Sequence, residues 1–213
     1  IASCLVGSEM CIRDRSSRPE SIGLPSRRAR SGLGLIPRRL PGVGELWRRR
    51  HESADLAARI EGIHRPYHEA LAAALAALRD RWGVALLVDL HSMPPLQARP
   101  GMESPHLVGG DRFGAACHGS LVAGAFSWFA ANRQLAAHNR PYAGGYVLER
   151  HAAPGEGIHA LQLEVDRRCY LDSRLSEPGE GMGQTVDLLA GLVRRLAAGV
   201  SELAGKGWAQ AAE

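Results

Sequence analysis

The 213 residues suit a single domain with a sizeable core, built mainly from Ala, Leu and Val because aromatics make up only 5% of the chain. No run approaches the roughly 18 uninterrupted apolar residues of a membrane span, so a soluble protein with no membrane partner is expected. The net charge of +4 rests on arginine, with Lys206 the single lysine, and the Arg-rich stretch from Arg27 to Arg50 has no aromatic platform beyond Trp47, which argues against a nucleic-acid partner.

Cys4, Cys11, Cys117 and Cys169 form no CxxC pair and no zinc-finger spacing, which favours a reducing, cytoplasmic setting over a disulfide scaffold. Leu5 to Asp14, LVGSEMCIRD, reads as a sequencing adapter translated in frame. Residues 1–26 are therefore expected to be an adapter-like, disordered, non-native segment. Residues 27–213 are expected to be one α/β domain, the C-terminal part of a fuller one whose first strand or strands are missing.

Arg28 to Leu40 reads as a loop or short edge strand, since two glycines and a proline surround an apolar pair. From Ser53 the pattern is helical. Leu56, Ile60, Ile63, Tyr67, Leu71, Leu75 and Leu78 recur at spacings of three and four, Ser53 is placed as N-cap, Pro66 should kink or divide the helix, and Gly83 should stop it. Val84 to Val88 then reads as a strand buried on both faces, with Asp89, His91 and Ser92 at its carboxyl end, where open α/β sheets bind ligands.

Ser104 to Gly114 reads as a loop, Ala115 to Ala137 as a helix, and Tyr146 to Leu148 as a short strand. Ile158 to Val165 is a second buried strand, and Gly183 to Leu203 a helix with Val186, Leu189, Val193 and Leu196 on its apolar stripe. This alternation indicates helices packed on a sheet.

Strand alternation puts Asp89 and His91 on one face, an arrangement suited to a metal-binding imidazole with an acidic neighbour or to simple capping of nearby backbone. It also puts Gln162 and Glu164 together. A carboxylate near the end of a buried strand is either functional or ion-paired, here with Arg167 or Arg168. Zinc hydrolases combine metal ligands with a carboxylate that takes a proton from water, a role Glu164 could fill beside His91. Further ligands are not obvious: the one HxxxH pair, His64 and His68, contains Pro66 and favours packing or capping. Cys117 and Cys169 read as small core residues, His159 as structural, and Tyr170 as within reach of the cleft.

DLHSMPP, GGDRFG, NRPYAGGY and GIHALQLEVDRRCYLD, in this order, resemble the N-formylglutamate amidohydrolase family, with the similarity running from about Arg27 to about Leu196 through GLGLIPR and HRPYH. The resemblance implies a mixed sheet flanked by helices, similar to the zinc carboxypeptidases and aspartoacylases. It also implies a zinc ion and hydrolysis of N-formyl-L-glutamate to formate and glutamate, a step of histidine degradation. The neighbouring expectations are an amidohydrolase for another N-acyl amino acid, or an inactive fragment or binding module. By the resemblance, His91 is a zinc ligand and Glu164 the general base and acid; Asp89, from its place on the strand, and Ser92, as a hydrogen-bonding residue beside it, are expected to support the metal histidine. Asn139, Tyr142, Gly144 and Gly145 then line the cleft. Arg38 and Arg167 are placed to bind substrate carboxylates, with surface ion pairs as the alternative. The family's first zinc histidine and a further acidic ligand have no counterpart before Arg27, and Asp166 stands where the family has asparagine, so impaired activity is expected.

Overall fold

The computed structural model describes residues 39–40, 44–47, 52–98, 101 and 103–211. Arg38 and the whole of the 1–26 segment lie outside them. The chain separates into two units, Ile1–Leu71 and Ala72–Glu213.

In the first unit, β1 (Arg39–Leu40) pairs antiparallel with β2 (Gly44–Glu45), Arg39 opposite Glu45. Helix α1 (Ser53–Arg59) has Glu52 as its N-cap, one residue before the expected Ser53. The chain then widens into a π turn over Ile60–His64 before α2 (Arg65–Trp82). Pro66 is the physical cause we assign: it has no N–H, and its ring crowds the carbonyl four residues back, so the turn before it opens while the helix continues undivided. The inward stripe keeps Leu75 as expected but takes His68 in place of Tyr67. His68 and Leu75 are buried, whereas Ile63, Tyr67 and Leu78, expected to face inward, are exposed. Gly83, at a φ of 77°, ends α2 by donating its N–H to the Arg79 carbonyl.

In the second unit, β3 (Ala85–Met93), β4 (Leu107–Gly110), β5 (Ala136–His138) and β6 (Ile158–Asp166) form a mixed sheet in the order β3-β6-β4-β5. Three helices accompany it: α3 (Gly119–Ala131), α4 (Tyr146–His151) and α5 (Met182–Ala211). β6 runs parallel to β3 and antiparallel to β4. Its alternation divides the layer: Leu161, Leu163 and Val165 join Leu121, Ala125 and Phe129 of α3 and Leu192 and Leu196 of α5 in one apolar core. Gln162, Glu164 and Asp166 take the opposite parity, and all three are buried. No described helix is long and apolar enough to cross a membrane.

Several expectations are corrected. The strand expected over Val84 to Val88, buried on both faces, begins at Ala85 as part of β3, which is paired on one side only among the described residues. Leu86, Leu87 and Val88 are half-buried and Leu90 is exposed, while β6 and β4 have partners on both sides. β3 continues to Met93, so Asp89, His91 and Ser92 belong to the strand rather than to a loop beyond it. The expected loop from Ser104 contains β4, whose four residues are all buried. Its glycines hid it. A Cβ on Gly109 would come within 3.0 Å of the Phe126 ring, and one on Gly110 within 2.6 Å of the Ala143 carbonyl carbon, so close packing demands their absence. The helix expected over Ala115 to Ala137 is shorter, with His118 as N-cap and Ala136 and Ala137 in β5.

Tyr146 to Leu148 is helical, not a strand. In α5 the expected stripe holds at Leu196, which is buried, and at Leu189, which packs against the core, but Leu192 is buried where Val186 and Val193, expected inward, are exposed. The contact with α3 sets this angle. Trp128 donates its indole N–H to the Leu188 carbonyl at 3.0 Å, and its ring occupies the space where any side chain on Gly191 would lie.

Candidate active site

The parallel ladder between β3 and β6 sets Asp89 opposite Gln162 and His91 opposite Glu164. Partners on a ladder share a face, so these four polar side chains stand together on the side away from the apolar core. His91 Nε2 lies 2.9 Å from Asp89 Oδ2, the contact that spacing by two along a strand permits. Glu164 is 7% exposed, and its Oε1 accepts a hydrogen bond of 2.9 Å from Gln162 Nε2.

Burial pushes the Glu164 carboxyl above the usual carboxylate range; His91, the Gln162 bond and Arg167 oppose the rise, and Asp89 adds to it. The ion pair considered between Glu164 and the arginines following it does not form with Arg168. Arg168 instead grips Asp166, its Nη2 2.6 Å from Oδ2 and its Nε 3.1 Å from the same oxygen. The charge at Asp166 is thereby matched, and Asp166 also caps the turn Arg167–Cys169 by accepting from the Arg168 N–H. Arg167 has its Nε 3.4 Å from the Ser92 hydroxyl, while its charge still acts on Glu164.

The NRPYAGG segment reaches this face by crossing β4. Asn139, at a φ of 59°, uses its side chain to hold the GGDRFG turn: Oδ1 accepts from the Asp111 and Phe113 N–H groups at 3.0 and 3.4 Å, and Nδ2 donates to Asp111 Oδ1 at 2.6 Å. His138 Nε2 stands 3.1 Å from the same Asp111 oxygen. Backbone then passes against Gly110, and the Arg112 N–H donates to the Ala143 carbonyl at 2.7 Å. Gly144 has a φ of 105°, and a Cβ there would meet Leu148 at 2.6 Å. Gly145 donates its N–H to Gln162 Oε1 at 2.9 Å. This path brings Tyr142 within the field of the site. Burial raises its phenol, the Glu164 charge adds to the rise, and Arg167 opposes it.

The structure thus brings together Asp89, His91, Tyr142, Gly145, Glu164 and Arg167, joined by ladder, hydrogen bonds and electrostatic contact, whereas Ser92, opposite Val165 on the ladder, takes the other parity and meets the group through Arg167. Gln162 links two of them and was singled out only as a companion of Glu164 by alternation. Asp111, buried and holding both His138 and Asn139, had no sequence signal beyond its place in GGDRFG. Tyr170 packs against the apolar core. His159, buried on β6, is one residue off the Glu164 face. His64 and His68 lie in the first unit with ring centroids 4.4 Å apart, edge to face.

Zinc is implied by the sequence resemblance, and the donors can be compared with its needs. His91 offers one imidazole, with Asp89 against it. Among the described residues no three His, Cys, Asp or Glu form a group able to hold a metal ion, so they do not fit a complete three-ligand centre. Burial pushes the Cys117 thiol up to about 12, with Asp111 adding to the rise, which leaves it protonated and poorly nucleophilic near neutral pH.

A mixed α/β sheet carrying a buried carboxylate beside an imidazole, with a cleft segment crossing above them, defines an α/β protein with its polar site near the ends of parallel strands. Residues 12–171 match the model of the N-formylglutamate amidohydrolase family, and the chain belongs to that family. The N-formylglutamate deformylase of Pseudomonas aeruginosa is 30% identical over 118 residues, 51% of this chain and 42% of that protein. That of Pseudomonas putida is 30% identical over 122 residues, 53% and 43% of the respective lengths. The matched part therefore spans less than half the length of these curated relatives. The crystal structure of an N-formylglutamate amidohydrolase from Ralstonia eutropha JMP134 superposes with a TM-score of 0.69 at 26% identity, covering 94% of this chain and 71% of that one. A gene product of Agrobacterium tumefaciens, at a TM-score of 0.55 and 17% identity, covering 78% and 62%, shares the fold.

Proposed function

We propose that this chain carries the catalytic face of a zinc-dependent amidohydrolase that cleaves N-formyl-L-glutamate into formate and glutamate, in the cytoplasmic degradation of histidine. The fold is read as kin to the zinc carboxypeptidases and aspartoacylases. The observation that carries this reading is the register of β3 and β6, which sets His91 directly opposite Glu164 on one face. His91 is the residue assigned to zinc, with Asp89 orienting its ring. Zinc held there would supply Lewis-acid polarisation and a water of lowered pKa.

The residues of the chain itself account for the remaining steps. Glu164, buried and raised, takes a proton from the attacking water as its oxygen bonds to the formyl carbon. It returns that proton to the amide nitrogen, the C–N bond breaks, and formate and the free amino acid leave. Arg167 offers a guanidinium for a substrate carboxylate, through the paired bonds that a carboxylate accepts. Tyr142 is placed to donate to the substrate from the cleft segment. Gly144 and Gly145 keep that segment close, and Asn139 fixes it to the Asp111 turn. Arg38 is proposed as a second substrate arginine from the sequence resemblance alone. The free thiols of Cys117 and Cys169 support a reducing compartment.

The test measures formate release from N-formyl-L-glutamate, with N-acetyl-L-glutamate in parallel, in the presence of zinc. Slow hydrolysis that prefers the formyl substrate and disappears in Glu164→Gln is expected. Equal rates on both substrates would assign a broader N-acyl specificity. Hydrolysis that survives Glu164→Gln, or none at all, would remove the catalytic reading and leave a binding module.

A further inference from the structure

Gln162 is 7% exposed, and its carboxamide spans two parts of the site: Oε1 accepts from the Gly145 N–H and Nε2 donates to Glu164 Oε1, both at 2.9 Å. Its orientation is dictated by chemistry. A backbone N–H can only donate, so the oxygen must face Gly145, and the amine is thereby directed at the carboxylate. A buried amide held at both ends has little rotational freedom, and the oxygen it engages on Glu164 is fixed in direction. The other carboxylate oxygen is the one left for proton transfer. The same amide ties the segment carrying Tyr142 to the strand carrying Glu164, so cleft wall and base are set by a single side chain.

We propose that Gln162 is the positioning residue of the site, orienting the Glu164 carboxylate with one end and locking the NRPYAGG segment with the other. The catalytic half of this inference rests on the proposed role of Glu164; the structural half does not. Two substitutions separate the ends. Gln162→Met, similar in length, removes both bonds. Gln162→Glu keeps an acceptor for Gly145 but places a carboxyl against Glu164, so the two groups repel or share a proton and Glu164 is lost as a free base.

The experiment records amide hydrogen exchange at Gly145 and the ¹³C carboxyl resonance of Glu164 by NMR in the full chain, together with kcat and KM for N-formyl-L-glutamate with zinc. In Gln162→Met, Gly145 exchange is expected to rise about tenfold or more, with kcat down about 10- to 100-fold and KM raised. In Gln162→Glu, Gly145 exchange and KM stay near wild type, while kcat falls similarly and the Glu164 resonance shifts. Unchanged Gly145 exchange in Gln162→Met would overturn the locking role. Unchanged kcat in both variants, or an unmoved Glu164 resonance, would overturn the orienting role. Absence of any Glu164-dependent hydrolysis in the wild type instead strikes the proposed function, and the two NMR readouts then decide the positioning role alone. If Gln162→Met fails to fold, Gln162→Asn, whose shorter amide cannot reach both Gly145 and Glu164, replaces it with the same expected rise in Gly145 exchange and fall in kcat, and unchanged values overturn the proposal.

Discussion

His91 and Glu164 stand directly opposite one another on the parallel ladder of β3 and β6, separated by 73 positions in sequence yet fixed to one face by register. A slip of one residue would turn either side chain to the other side of the sheet. The pairing is therefore as secure as the ladder, and under the proposed function Glu164 is the base. Glu164→Gln keeps the shape and an acceptor for Gln162 while removing the base. Hydrolysis of N-formyl-L-glutamate is expected to fall by about 10² to 10⁴, and thermal denaturation should show a melting temperature equal to or above wild type, because a buried carboxylate is costly.

Asn139 makes three hydrogen bonds to the Asp111–Phe113 turn. Asn139→Ala leaves buried partners of Asp111 without their mates, and urea unfolding should record a loss of about 2–3 kcal/mol. Asn139→Asp should do worse at neutral pH, since it sets a second carboxylate against Asp111.

Gly110 gives the cleft segment room. An alanine Cβ there would lie 2.6 Å from the Ala143 carbonyl carbon and 2.7 Å from the Gly144 nitrogen, both backbone atoms. Gly110→Ala is expected to cost about 1–3 kcal/mol and to expose the NRPYAGG segment to limited proteolysis. Gly119→Ala, whose Cβ would meet nothing within 4 Å, is the control and should leave both readouts unchanged.

Burial holds the imidazoles of His151 and His159 below the usual histidine range, helped by Arg150 and His118 respectively. Each binds its proton more readily in the unfolded chain. Stability is therefore full above about pH 6.5, the unfolded value, and falls with decreasing pH until the depressed folded value is passed. The slope is at most about 1.4 kcal/mol per pH unit for each histidine. Urea unfolding at a series of pH values checks this, and His159→Gln should flatten the curve.

Zinc affinity follows from ligand number. With His91 and Asp89 the donors at this face and no group of three among the described residues, calorimetric titration of the 213-residue chain should show weak binding. His91→Ala should weaken it further. Tight stoichiometric binding that is insensitive to His91→Ala would place the metal elsewhere.

The sequence by itself determined the elements whose pattern is local. IHALQLEV reads as a buried strand because apolar residues dominate it, and its alternation already separates Gln162 and Glu164 from Leu161 and Leu163. The family was legible too, since four ordered motifs are far more specific than any one. Tertiary structure alone decided which strands are interior: Val84 to Val88 is the more apolar run, yet β3 lies at the edge among the described residues while β6 and β4 have partners on both sides. It also decided β4, whose glycines read as loop in isolation and are required by the approach of Phe126 and Ala143. The stripes of α2 and α5 were legible in part, Leu75 and Leu196 facing inward as expected while Tyr67, Leu78, Val186 and Val193 do not, for the same kind of reason. A π turn before Pro66 and the Trp128 contact at Gly191 rotate them, and neither changes the spacing of apolar residues along the chain. Gln162 shows the division most plainly: alternation put it beside Glu164, but the acceptor it presents to Gly145 exists only because the chain folds back across β4 to meet it.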